Sequence, residues 1–119
     1  MLGAEIYATV SSQEKVQYLI STFGIPRSRI FHSRDTSFLK DVLTATNGRG
    51  VDFVLNSLSG ELLHASWECV AEFGTLLEIG KRDFIGHGKL AMDIFEANRS
   101  YCGIELDHLL KVKPSMGKK

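Results

Sequence analysis

Apolar residues recur along this chain at two spacings, short β-type runs and helical repeats, and the two alternate from one end to the other. Glu5–Val10 reads as a short strand. Ser11, Ser12, Gln13 and Glu14 follow and fit a capping box, with Ser11 accepting a backbone N–H and Glu14 reaching back. Val16, Leu19, Ile20 and Phe23 then predict a helix that Gly24 ends. Pro26 introduces a turn before a strand at Arg29–Ser33. Asp35 or Thr36 can cap a second helix whose inner face is Phe38, Leu39, Val42 and Leu43, closed by residues 47–50. Val51–Asn56 is the strongest strand, an almost continuous apolar run of the kind a parallel sheet covered on both faces requires. Residues 57–60 turn into a third helix carrying Leu62, Leu63, Trp67, Val70 and Phe73. Gly74 stops it before a strand at Thr75–Gly80. A glycine-bearing loop over 81–88, a helix from about Lys89 to Asn98 and a last strand at Tyr101–Leu106 complete the order. Strand and helix alternating with short connections predict a doubly wound α/β sheet with right-handed crossovers.

At 119 residues the chain is one domain or a piece of one. Lys and Arg balance Asp and Glu at a formal charge of zero, so no net field draws in nucleic acid or an anionic membrane, and neither is expected as a partner. The basic residues Lys111, Lys113, Lys118 and Lys119 read as a solvated tail. Cys69 and Cys102 lack metal-type spacing, and Cys69 reads as a buried reduced thiol. His32, His64, His87 and His108 are scattered, so no metal site is expected. No leader or membrane-length apolar run is visible, which points to the cytoplasm. The strand pattern begins almost at Met1 and periodicity is lost beyond Leu110, so both ends read as cut.

In such a sheet, ligands gather at the carboxyl ends of the strands. After the first run come Ser11, Ser12 and Lys15 with no carboxylate at the strand end. Hydroxyls plus a cation there suit a ribose 2′-phosphate, which favours NADPH over NADH. A capped helix with a solvated lysine explains the same residues, and the two readings are compatible. Asn56 and Ser57 end the most apolar strand, where an amide could approach a nicotinamide or ribose, although they are also ordinary turn residues. Lys81 follows Gly80 at the next strand end and can donate a proton or stabilise an enolate. Its neighbours Arg82 and Asp83 allow a solvated charge run instead. Gly86, Gly88 and Ala91 match G-x-G-x-x-A, with Glu105 further on at a strand end. Residues 81–85 separate that motif from its strand, whereas a phosphate loop needs its first glycine directly after one.

Four collinear blocks, over residues 3–10, 30–38, 48–61 and 73–83, closely resemble the enoyl reductase domain of fungal highly reducing polyketide synthases. That domain belongs to the zinc-independent medium-chain dehydrogenase/reductases, and the resemblance covers roughly Met1 to Leu110. It implies NADPH-dependent reduction of an α,β-unsaturated thioester on an acyl carrier protein, with hydride going to the β-carbon and a proton to the α-carbon. Ser11, Ser12 and Lys15 would line the 2′-phosphate side, and Asn56 and Ser57 would lie near the nicotinamide half. Lys81 matches a lysine proposed as proton donor in related reductases. Glu105 stands where a second proposed acid is usually Asp, its carboxyl shifted by a methylene. The family also dimerises through its last strand, which implies a possible dimer here.

The resemblance places the family's glycine-rich loop and first nucleotide-binding strand upstream of Gly3, with most of the substrate-binding domain. The expected fold is therefore an incomplete Rossmann-like sheet, a partial NADP(H)-binding domain over residues 1–110 followed by an unrelated tail over 111–119. A truncated, catalytically inactive remnant or interaction module is the competing reading, and a quinone reductase fragment a further one. In the order 3-2-1-4-5-6 the first strand is central and starts the pyrophosphate-binding turn. This chain by itself is thus expected to bind NADPH weakly or not at all and to be inactive. Isothermal titration of the purified 119-residue chain with NADPH checks this; low-micromolar binding would contradict it.

Overall fold

The computed structural model of the chain describes residues 4–80, 85–105, 108–109 and 111. Strand β1 is Ala8–Val10, helix α1 Gln13–Phe23, β2 Ile30–His32, α2 Ser37–Ala45, β3 Val51–Asn56, α3 Glu61–Glu68, β4 Val70–Glu78 and β5 Ser100–Gly103. Arg27–Arg29 and Met92–Ala97 are 3₁₀ turns. Every strand pair is parallel: β1 runs beside β2, and β3, β4 and β5 lie side by side in that order. The described strands form two sheets rather than one. A split at this place matches the classic order 3-2-1-4-5-6, in which a strand stands between the positions that β1 and β3 occupy.

One apolar cluster ties the two sheets together. Phe38 and Val42 of α2 bury themselves with Ala65 of α3 and Cys69, while Phe31 of β2 and Val51 and Val54 of β3 pack against them. A second cluster centres on Trp67, which is fully buried with Val70 and Leu76 and meets Val54, Ile94, Phe95 and Tyr101. The Trp67 ring lies 4.8 Å from Phe95 and 5.7 Å from Tyr101, and its Nε1–H donates to the Ala91 carbonyl at 3.2 Å. Satisfying that indole N–H is what allows the ring to bury completely. Arg99 closes the same region, its Nε donating to the Val70 carbonyl at 2.6 Å and its Nη1 to that of Ile94 at 3.1 Å.

Paired residues of parallel strands share a face, so Val54, Leu76 and Tyr101 form one inner row. Phe53 and Leu55 point the other way and are 59% and 63% exposed. The expectation that β3 is covered on both faces is thereby corrected, since among the described residues α2 and α3 both serve the Val54 face.

Other differences have local causes. α1 is capped by Ser12, not Ser11: Ser12 has extended backbone (φ −146°) and its Oγ accepts the Lys15 N–H at 3.3 Å. Glu14 then falls one position short of where a capping box needs it. Gly24 ends α1 as expected, in the left-handed region at φ 66°. α3 stops at Glu68 instead of running to Phe73, because the Cys69 carbonyl is taken by the Val51 N–H at 2.8 Å and Val70 enters the sheet. Sheet pairing overrides the helical spacing there. Gly74 sits inside a bulge of β4, where the register jumps from Val51↔Val70 to Phe53↔Thr75 and Phe73 takes φ 61°. A Cβ on Gly74 would lie 2.8 Å from Val70 and 2.9 Å from the backbone oxygens of Ala71 and Asp52. The helix expected over Lys89–Asn98 is the shorter 3₁₀ turn, ended by Asn98 at φ 60°.

Gly48 and Gly50 offer a controlled comparison. Both need positive φ, at 83° and 87°, but only at Gly50 does an added Cβ meet atoms, 2.5 Å from the Cys69 carbonyl oxygen. Gly48→Ala should cost about 1 kcal/mol of strain alone. Gly50→Ala should cost at least about 2–3 kcal/mol, because the clash acts on the same carbonyl that joins β3 to β4. Urea unfolding of the two variants checks the order, and equal losses would contradict it.

Candidate functional site

All the strands run in one direction within their sheets, so their carboxyl ends present two neighbouring rows of residues. At the end of β1, the Lys15 ammonium donates to Ser11 Oγ at 3.0 Å while Ser12 Oγ caps the helix. Ser11 and Ser12 belong to a cleft of about 250 Å³ that also involves Gln13, Arg27, Phe31 and His32. Arg27 is held there through Nη1 donating to the Ile30 carbonyl at 2.8 Å. His32 enters because its strand position pairs with Val10. The corner combines a helix N-terminus, two hydroxyls, an ammonium and a guanidinium, a donor set that suits a phosphate. Ser11, Ser12 and Lys15 are the residues the sequence pointed to, and the structure brings Arg27 and His32 beside the two serines. Parallel pairing of β1 with β2 was the signal that could have placed His32 beside Val10.

The ends of β3, β4 and β5 are joined by a residue the sequence reading passed over. Glu78 is 2% exposed, and its carboxyl oxygens accept three donors. Asn56 Nδ2 reaches Oε2 at 2.6 Å, the Gly80 N–H reaches Oε1 at 2.7 Å, and the Tyr101 hydroxyl lies 3.4 Å from Oε2. Asn56 is equally buried and spends its other amide hydrogen on the Leu58 carbonyl at 2.8 Å. Its side-chain nitrogen is therefore committed to the protein, while the adjacent Ser57 is exposed. Backbone bonds reinforce the junction, from Ile79 N to Asn56 O at 3.0 Å and from Ile104 N to Glu78 O at 2.9 Å. A carboxyl inside the apolar run Thr75–Gly80 was the available sequence signal for Glu78.

Ser11, Ser12 and Lys15 thus come together at the end of β1, Asn56 bonds Glu78 with Ser57 exposed beside it, and the two groups stand at the ends of different sheets. Lys81 lies outside the described residues. Glu105 is half-buried just past β5, its carbonyl accepting the Leu109 N–H at 2.9 Å. The Gly86–Ala91 motif begins in an exposed turn well beyond β4, which is not the position of a phosphate loop. A larger open hollow of about 630 Å³ runs along α2 past Leu39, Leu43 and Asn47, and none of the expected site residues line it.

Cys69 is enclosed by Phe38, Val42 and Ala65, and burial, with a smaller contribution from the Glu68 charge, pushes its thiol from 9.0 up to about 12. The folded chain therefore holds this proton more tightly than the unfolded chain. The resulting stabilisation is fully present below pH 9.0 and is lost as pH rises towards about 12. Cys69→Ala should flatten that part of the stability–pH curve, which urea unfolding across the window checks. At mildly alkaline pH a thiol reagent should label the exposed Cys102 and spare Cys69.

Residues 1–106 match the zinc-binding dehydrogenase family. Among the described residues no three His, Cys, Asp or Glu side chains are grouped to hold a metal ion, so they do not fit a zinc site. A highly reducing polyketide synthase of Alternaria alternata is 72% identical over 106 residues, covering 89% of this chain. One of Gibberella moniliformis is 71% identical over 104 residues, covering 87%. The chain spans about 4% of the length of each. In three dimensions it is similar to the nucleotide-binding subdomain of the enoylreductase domain of PpsC from Mycobacterium tuberculosis. That match has a TM-score of 0.84 and 34% identity, over 96% of this chain and 62% of that one. The CurK enoyl reductase aligns with a TM-score of 0.74 and 35% identity, over 94% of this chain and 32% of that one. The parallel strands, the crossover helices and these likenesses lead to one conclusion: the chain belongs to the zinc-binding dehydrogenase family and, within it, resembles the enoyl reductase region of polyketide synthases.

Proposed function

We propose that the chain forms part of an NADPH-dependent enoyl reductase that acts on α,β-unsaturated thioesters carried by an acyl carrier protein. The observation that carries this reading is the corner at the end of β1, where Lys15, Ser11 and the capped start of α1 converge. Those donors suit the 2′-phosphate that distinguishes NADPH from NADH, and Arg27 adds charge beside them. NADPH supplies the hydride when bound. Ser57 and the turn after β3 line the nicotinamide side in this reading. Lys81 gives its ammonium proton to the α-carbon as charge builds on the thioester carbonyl, so that one hydride and one proton saturate the double bond. Glu105 is a second candidate for that proton. The last strand, β5, is the candidate dimer edge.

A second reading, an interaction module without activity, draws on the exposed Phe53 and Leu55 of β3.

The test uses the complete enoyl reductase that contains this segment, a 2-enoyl thioester and absorbance of the reduced nicotinamide. Lys15→Ala should raise KM for NADPH about tenfold, the loss of one charged contact, and leave KM for NADH unchanged. Lys81→Ala should lower kcat by about 10²-fold with NADPH affinity intact. A wild-type enzyme that prefers NADH, or full turnover in Lys81→Ala, would remove the corresponding part of the reading.

A further inference from the structure

The inner row of β4 places Leu76 and Glu78 on the same face, and Leu76 packs on Trp67 in a purely apolar setting. A carboxyl two residues further along the same strand is costly to bury unless its oxygens are fully engaged. Here they are engaged by hydrogen-bond donors alone; among the described residues no Lys, Arg or His forms an ion pair with Glu78. The donors come from three places that the chain reaches separately: Asn56 at the end of β3, Gly80 just past β4, and Tyr101 of β5. Asn56 donates both of its amide hydrogens, to Glu78 and to the Leu58 carbonyl, so the turn after β3 is held through the same carboxyl that holds the turn after β4. The two turns also touch directly, since a Cβ on Gly80 would lie 2.9 Å from Glu78 Oε1 and 3.1 Å from the Ser57 carbonyl oxygen.

From this geometry we infer that Glu78 is a positioning residue that locks the turn after β3 to Ile79 and Gly80 at the end of β4. It thereby holds the Ser57 carbonyl against Gly80. The inference rests on the function proposed above, in which Ser57 and the turn after β3 line the nicotinamide side. Glu78 does not touch substrate or cofactor in this scheme. It acts through the Gly80 N–H and the Asn56 amide, whose spacing it fixes. Small displacements of reacting groups have large effects on rate because the productive geometry tolerates little error. The corner formed by Ser11, Ser12 and Lys15 stands at the end of the other sheet, and none of the three is bonded to Glu78.

Glu78→Gln in the complete enoyl reductase is the direct test. The amide keeps the shape but turns one acceptor into a donor that faces Asn56 Nδ2 or the Gly80 N–H. Turnover of a 2-enoyl thioester should fall by about 10²-fold. NADPH affinity, read by fluorescence titration, should stay at the wild-type value. Gly80→Ala provides a second route, because its methyl group displaces the carboxyl without removing it. That variant should show the same split between kcat and affinity, and it decides the matter if Glu78→Gln does not fold. Wild-type kcat in either folded variant would overturn the inference. So would losses of kcat and NADPH affinity in equal proportion, which indicate general loosening. A wild-type enzyme that reduces no enoyl thioester would instead bring down the proposed function, and the positioning role with it. An active wild type matched by Glu78→Gln would remove the positioning role alone.

Discussion

Parallel strand pairing is the constraint on which the rest of this molecule depends. Adjacent parallel strands cannot be joined by a tight turn, so each pair requires a crossover: α1 joins β1 to β2, α3 joins β3 to β4, and the segment with the Met92–Ala97 turn leads to β5, while α2 connects one sheet to the other. Right-handed crossovers return each strand in the same direction and bring the strand ends together at one edge. That is why Ser11, His32, Asn56 and Gly80, far apart in sequence, all fall at carboxyl ends of strands. Function in such a fold is a property of that edge, and the sheet interior exists to hold it in place.

Two kinds of burial hold the edge. Trp67, Val70 and Leu76 form a dry cluster whose value comes from apolar area and close packing, and truncating such a tryptophan typically costs about 3–5 kcal/mol. Glu78 is the opposite case, a polar group tolerated in the interior because Asn56, Gly80 and Tyr101 satisfy it. The dry cluster packs β4 against α3, and the Glu78 carboxyl bonds Asn56 and Gly80 at the strand's end. Apolar packing is non-directional, whereas the hydrogen bonds of Glu78 specify which turn sits beside which.

The corner at β1 is built differently. Its parts are exposed and local: a serine cap, a lysine four residues after Ser11, and an arginine anchored through a single carbonyl. The separation of an exposed anion corner from a buried clamp follows the division of the described strands into two sheets.

Much of this was legible in the sequence because local chemistry decides it. The apolar run from Val51 to Asn56 defines β3 at both ends, Gly24 caps α1 where the periodicity stops, and Ser11, just ahead of the Ser12 cap, is near enough in sequence for Lys15 of the first turn to reach back to it. The four blocks of resemblance carried the lineage for the same reason, as an ordered string of residues. Tertiary structure decided the remainder. Leu63, Trp67 and Val70 keep helical spacing, but Val51 captures the Cys69 carbonyl and turns Val70 into a strand. Phe53 and Leu55 read as core residues, and only the placement of α2 and α3 on the opposite face leaves them exposed. Arg27 and His32 join the anion corner through pairing of β1 with β2, and Glu78 gains its meaning from donors on two other strands. Spacing along the chain sets which residues a helix or strand can present. Hydrogen bonds between distant segments set which of those residues meet, and no local pattern encodes them.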